Sequence, residues 1–328
     1  SKLYKIMFLN FMIMGTLMAI SSYSWFSMWM GLEINLMSVI PLFLNPNNPM
    51  STEASMKYFI SQAMASMIIM FSMIMIMLKI KSSMMNNISY SILNSMLMLK
   101  MGAAPLHFWF PEVMEGLSWM NCMIMLTWQK ISPMMIIMNN KPSTLLMLIF
   151  ILSSLIISII LSFNQTSLRK IMTYSSINHI SWMLTATMIS FSSWTLYFLT
   201  YSMITINISL MFKSMNLNFI NQIMNKKNTN MMINFLSMGG LPPFMGFLPK
   251  WLIINKSSEN MMFTISFLLI MSSLIMMFIY MRMFFSTMMM SSSKKKIKTK
   301  VYMNKYLIMS TLTLNSMTIL FTMMFNLN

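Results

Sequence analysis

Runs of about twenty apolar residues recur along the chain, each closed by a short polar stretch. Read for hydropathy and loop punctuation, the pattern predicts about eleven spans, over roughly 3–22, 24–44, 54–78, 88–110, 117–138, 143–163, 168–190, 194–217, 231–256, 260–287 and 304–325. The connections carry turn formers, as in Asn45-Pro46-Asn47-Asn48-Pro49, Asn139-Asn140-Lys141-Pro142 and Asn164-Gln165-Thr166-Ser167. They leave no room for a soluble catalytic domain. Strand-length alternation is absent, and lipid offers the backbone no partners, so the spans are expected to be helices. The expected fold is all-α: a polytopic membrane bundle forming one integral domain over 1–328, with a last helix at 304–325.

Composition sharpens this picture. The chain has 328 residues, 57% of them hydrophobic and only 8% charged, far below the quarter or so that is usual in soluble domains. Its net charge of +17 would suit a nucleic-acid binder, but the lysines lie in loops without interleaved aromatics. The positive-inside rule accounts for them, and no nucleic-acid partner is expected. One face would receive Lys2, Lys5, Lys57, Arg169, Lys170, Lys226, Lys227 and the run 294–300. The other would receive chiefly Lys79, Lys81, Lys141 and Lys256. That asymmetry places the N-terminus on the positive side, the matrix side in a mitochondrion. Trp25, Trp29, Trp119, Trp194 and Trp251 fall near span ends, as interfacial anchors would.

The chain's single cysteine, Cys122, excludes an intramolecular disulfide framework and any multi-cysteine metal or iron–sulfur site within it. The 54 methionines exceed what packing requires and point to an AT-rich mitochondrial gene that reads an isoleucine codon as Met. The sequence enters its first apolar stretch at once, with no amphipathic leader.

Charges inside the spans carry the chemistry, because each costs at least ~3 kcal/mol at mid-bilayer on insertion scales. Glu33 falls in the second span, Lys100 in the fourth, Lys130 in the fifth and Lys250 in the ninth. The competing readings are a structural ion pair for Glu33, hydrogen-bonded core lysines for Lys100 and Lys130, and a snorkelling lysine for Lys250. His107 and His179 are the only histidines; on separate spans they do not suggest a metal site, but imidazole titrates near neutrality and suits a proton relay. Glu112 and Glu115 follow Pro111, and Glu53 follows Ser51-Thr52; all three read as first-turn acids at helix starts, with proton handling the competing reading for Glu112 and Glu115.

Two spans also contain helix breakers. The fourth holds Gly102 and Pro105. The ninth holds Gly239, Gly240, Pro242 and Pro243. Freed carbonyls at membrane depth survive only where protein or a wet cavity satisfies them. Two interrupted spans, five apart and each carrying a lysine, form the pattern of inverted-repeat transporters, with halves at roughly 1–165 and 166–290. Ordinary proline kinks are the competing reading.

These residues carry a family resemblance. The segments MGLEINLMSVIP, STEASMKYF, KMGAAPLHFWFPEV, LTWQKISP, NQTSLRKIMTYSSINHISWM and GGLPPFMGFLPKW, in this order, resemble the subunit 2 family of mitochondrial respiratory complex I, the proton-pumping NADH:ubiquinone oxidoreductase. The methionine content suggests an arthropod member. The resemblance implies an antiporter-like membrane-arm subunit of that enzyme in the mitochondrial inner membrane. It implies the discontinuous helices at Pro105 and Pro242-Pro243, and a proton path through Glu33, Lys100, Lys130, His179 and Lys250. Ser132, Thr173, Ser176 and Asn178 would order water along it. No cofactor is expected in this chain, since flavin and iron–sulfur clusters would lie in other subunits. The expected partners are other core and accessory membrane-arm subunits and lipid. A structural scaffold without its own path, and an independent cation/proton antiporter, remain as alternatives.

Overall fold

A computed structural model describes residues 3–45, 48–78, 83–140, 142–225, 229–242 and 244–293. The expected helix at 304–325, Pro243 and the lysine run from 294 to 300 lie outside the described residues. So do Lys2, Lys79, Lys81, Lys141, Lys226 and Lys227. Among the described residues every regular element is helical, apart from one isolated bridge between Ser167 and Phe219. The chain divides into two compact units, Ser1–Ser154 and Leu155–Asn328.

The first unit contains α1 (Leu3–Ser21), α2 (Trp25–Phe43), α3 (Pro49–Met77), α4 (Ser83–Met101), α5 (Trp109–Gly116), α6 (Trp119–Leu126) and α7 (Ile131–Asn140). The boundary falls inside α8 (Thr144–Phe163). Helices α1 and α2 meet through small residues. A Cβ added to Gly15 would lie 2.8 Å from the Asn35 nitrogen, and one on Gly31 only 2.5 Å from the Ala19 nitrogen. Only glycine permits this backbone approach, which replaces the hydrophobic drive that lipid-solvated helices lack. Helix α3 packs on α2, α4 and α5, and α7 packs on α1 and α4.

The second unit contains α9 (Leu168–Ile189), α10 (Phe191–Met215), α11 (Ile220–Asn225), α12 (Thr229–Gly239), α13 (Phe247–Glu259) and α14 (Phe263–Ser293). Helix α9 packs against α10, α13 and α14, and every residue from Ile171 to Ala186 is buried. This explains a helix too polar to face lipid: its serines and threonines are enclosed and bond back to carbonyls three residues earlier, as Ser175 does to Met172.

Among the described residues, six helices are long and apolar enough to cross a membrane: α1, α2, α3, α8, α10 and residues 263–283 of α14. The fold is a membrane helix bundle. Helix starts differ from the sequence reading in two places. Helix α3 begins at Pro49, so Glu53 lies beyond its first turn. Helix α5 begins at Trp109, which puts Glu112 in the first turn but Glu115 in the last. In both cases proline occupies the first turn, and the helix starts at or ahead of it rather than at the acid. Trp119 and Trp194 are buried within the chain, unlike the exposed Trp251.

Candidate functional site

Helix α4 stops one residue after Lys100 because Gly102 takes up the left-handed conformation, φ +77°. The Gly102 amide bonds to the Leu99 carbonyl at 2.9 Å and the Ala103 amide to Met98 at 3.0 Å. This is a Schellman ending, and glycine is the residue that adopts it without a Cβ penalty. The backbone freed by the break is satisfied by protein. Trp109 Nε1 donates to the Leu99 carbonyl at 3.1 Å, and Ser153 Oγ donates to that of Ala104 at 2.7 Å. The chain then passes the cis Ala104–Pro105 peptide and His107, whose Nδ1 lies 3.3 Å from the Pro105 carbonyl oxygen.

The same device ends α12. Gly240 has φ +78°, its amide reaches Ser237 at 3.1 Å, and the Leu241 amide reaches Leu236 at 3.3 Å. Helix α13 resumes at Phe247. Gly246 presses on the end of α12 so closely that a Cβ there would collide with the Ser237 carbonyl oxygen. Lys250, from α13, folds back across the gap. Its Nζ donates to the Gly239 carbonyl at 2.9 Å and lies 3.5 Å from that of Met238. Lys250 is 7% exposed, so it turns inward and does not snorkel.

Lys100 is also buried and lines a small cavity with Leu32, Asn35, Tyr58, Gln62, Gln129 and Ser132, among others. The space for water centres is about 20 Å³, enough for roughly one water by volume. Glu33 is half-buried on α2. Yet among the described residues the ion pairs that close are those of Lys57 with Glu53 and Glu112, at 2.8 and 2.9 Å; none joins Glu33 to Lys100. The expected ion pair is open in this conformation.

Lys130 occupies a feature the sequence reading missed. Between α6 and α7 the fifth expected span tightens into a 3-10 turn, Trp128–Lys130, with the Lys130 amide on the Thr127 carbonyl at 3.2 Å. The cause is Pro133, which has no N–H for the Gln129 carbonyl four residues earlier and crowds it. Lys130 is 1% exposed.

In the second unit His179 meets α10: its Nδ1 lies 2.7 Å from the Tyr197 hydroxyl, and its ring 4.9 Å from that of Tyr201. Tyr197 stacks on Trp182, and the Lys250 Nζ lies 5.8 Å from the Trp182 ring centroid. Lys250 and His179 thus share one aromatic cluster. A tight cavity beside it is lined by His179, Tyr197, Tyr201, Ser237, Gly246 and Pro249, among others. Of the expected water-ordering groups, Ser132 Oγ and Asn178 Oδ1 are buried without a protein partner, while Thr173 and Ser176 donate to carbonyls of α9. Among the described residues no three His, Cys, Asp or Glu side chains gather as a metal site.

The arrangement is that of a membrane helix bundle with buried lysines beside two glycine-ended breaks. Residues 22–276 match the family described as NADH:quinone oxidoreductase/Mrp antiporter, TM, and the chain belongs to that family. The chain is 50% identical over 269 residues to NADH-ubiquinone oxidoreductase chain 2 of Anopheles gambiae, covering 79% of each. It is 44% identical over 273 residues to the chain of the same name from Locusta migratoria, covering 81% of this chain and 80% of the other. Both sources are insects, in keeping with the arthropod expectation. The fold also matches a chain of respiratory complex I from Thermus thermophilus with bound aureothin. That match has a TM-score of 0.85 at 16% identity, covering 96% of this chain and 77% of the other.

Proposed function

We propose that this chain is the antiporter-like membrane-arm subunit of a proton-pumping NADH:ubiquinone oxidoreductase in the mitochondrial inner membrane. It would cross about eleven times with its N-terminus in the matrix. It would form a single integral membrane domain over 1–328 with inverted repeat halves at roughly 1–165 and 166–290. On this reading α4 and α5 are the parts of one discontinuous span, and α12 and α13 of another. Redox energy would arrive from other subunits, where the flavin and iron–sulfur clusters are expected.

The observation that carries this reading is the repeated device itself. Each break is made by a left-handed glycine in a Schellman ending, and each has a buried lysine at its edge. Burying a lysine is costly unless its charge is used or paired. In the first unit the working groups are Glu33, Lys100 and Lys130. When Glu33 closes on Lys100 it favours the ammonium form; when it withdraws, the proton is more easily passed on. In the second unit they are His179 and Lys250. Lys250 is held by the Met238 and Gly239 carbonyls, so losing those bonds would change its hold on a proton.

Lys100→Met in the intact complex, reconstituted in liposomes, tests the reading. The expected result is normal assembly with lost proton pumping at Lys100's step. Unchanged protons per electron, with only stability altered, would instead make the chain a scaffold. Robust cation/proton exchange by the purified chain alone would make it an independent antiporter.

A further inference from the structure

Glu33 and Lys100 stay apart, and the first unit contains a side-chain clasp that accounts for it. Asn35 and Gln129 form a reciprocal amide pair. Asn35 Nδ2 donates to Gln129 Oε1 at 2.9 Å, and Gln129 Nε2 donates to Asn35 Oδ1 at 3.1 Å. The Tyr58 hydroxyl lies 3.5 Å from the same Gln129 oxygen. Asn35 and Gln129 are both buried, on segments 94 residues apart. Neither amide titrates, so the pair holds position without exchanging protons.

Its place decides what it positions. Asn35 sits on α2 two residues after Glu33. With about 100° of turn per residue, Leu32, Asn35 and Leu36 share one face of α2 while Glu33 lies roughly 100° round from Leu32. That shared face lines the Lys100 cavity. The clasp therefore holds the Leu32–Asn35–Leu36 face of α2 toward the Lys100 cavity, with Glu33 off that face. At its other end the clasp is held by Gln129, which belongs to the 3-10 turn and immediately precedes Lys130. One pair of hydrogen bonds ties the aim of Glu33 to the turn that carries Lys130. Two more buried polar atoms at the cavity, Gln62 Nε2 and Ser132 Oγ, have no protein partner. They provide new bonding positions when the clasp opens, so the clasp is not the only arrangement this polar cluster can adopt.

We infer that Gln129 and Asn35 are positioning residues: their amide clasp holds the Glu33–Lys100 pair open and couples its closing to the Lys130 turn. This deepens the proposed proton path and rests on it.

The test is made in the intact complex in liposomes, reading protons pumped per electron and ubiquinone reduction. Gln129→Leu removes the clasp, and Gln129→Asn keeps the amide but shortens its reach. Each is expected to assemble and to lower coupled turnover about five- to tenfold, the effect of one buried amide hydrogen bond, with fewer protons per electron. The exchange Asn35→Gln with Gln129→Asn restores both amides and the summed side-chain length, and is expected to restore the ratio. If Gln129→Leu fails to assemble, Gln129→Asn and the exchange decide alone. Parental ratios in Gln129→Asn, or an exchange that restores assembly but not the ratio, overturn the inference. Lys100→Met separates the two levels. If it abolishes pumping while the Gln129 variants pump normally, only the clasp fails. If Lys100→Met pumps normally, the proton path fails and the clasp with it.

Discussion

The strongest quantitative expectation concerns Gly240→Ala. Gly240 has φ +78°, and a Cβ built there lies 3.0 Å from both Cδ and Nζ of Lys250. Two costs add. The left-handed conformation costs alanine roughly 1–2 kcal/mol. The methyl also pushes Lys250 off the Gly239 carbonyl, a bond worth about 1–3 kcal/mol depending on whether the amine is charged. The sum is roughly 3.5 kcal/mol at the centre of those ranges, felt at the α12–α13 break. Gly239→Ala is the comparison. Its φ is not left-handed, and its added Cβ would meet only Met277 and Tyr280 side chains, at 3.5 and 3.6 Å. Alanine there even gains about 1 kcal/mol of helix propensity. The assay is thermal unfolding of the assembled complex together with protons pumped per electron in liposomes. Gly240→Ala should lower both, whereas Gly239→Ala should leave pumping at the parental level and stability at or slightly above it. Equal effects of the two substitutions would refute the reasoning, because they would show that neither the backbone conformation nor the seat of Lys250 decides the outcome.

Gly246→Ala should be worse for stability than either, by about 3 kcal/mol or more, because its Cβ meets the Ser237 carbonyl oxygen and backbone must move; loss of assembled complex on native gels checks it. Pro133→Ala returns a donor to the Gln129 carbonyl, so it should relax the 3-10 turn into α-helix and lower pumping while leaving assembly intact, a change a high-resolution map of the variant would show. Tyr197→Phe removes the hydroxyl on His179 Nδ1, costing about 1 kcal/mol in stability, and should alter the His179 ring-nitrogen signals in NMR of selectively labelled protein. Lys57→Met breaks the pairs with Glu53 and Glu112, but these side chains are exposed, so the thermal midpoint should barely fall and should respond to salt in the parent only.

Much of this architecture is written locally. The breaks at Gly102 and Gly240 were legible because glycine and proline act on their own few residues, whatever packs around them. The burial of Lys100, Lys130 and Lys250 within the chain was legible because a charge within twenty apolar residues has few places to go. The turn at Lys130 had a signal too, in Pro133. It was passed over because a proline inside a membrane helix usually reads as a kink, not as a change of helix type. What the sequence did not disclose is long-range. Asn35 meets Gln129 across 94 residues, and Tyr197 meets His179 from a different helix. No periodicity reports such pairs, since each partner alone is a polar residue on a buried face. The open Glu33–Lys100 pair belongs with them, because the rotation of α2 is set by its neighbours.

The two lysines at the breaks differ in a way that bears on how each is controlled. Lys100 belongs to the helix that ends: it stands in the last turn of α4, near the carbonyls that carry the negative pole of the helix. It keeps that environment however the following segment moves, so a charge partner would have to come from another element, and Glu33 on α2 is the acid the proposed path supplies. Lys250 belongs to the helix that resumes. Its bonds cross the gap, from α13 to the Met238 and Gly239 carbonyls of α12. Displacing α13 from α12 by even an ångström or two would take Nζ from 2.9 Å to beyond hydrogen-bonding range of Gly239. On the proposed path, one device, a Schellman-ended helix with a lysine beside it, would yield two modes of control. Lys100 would respond to the rotation of a neighbouring helix, and Lys250 to the width of the break on which it sits.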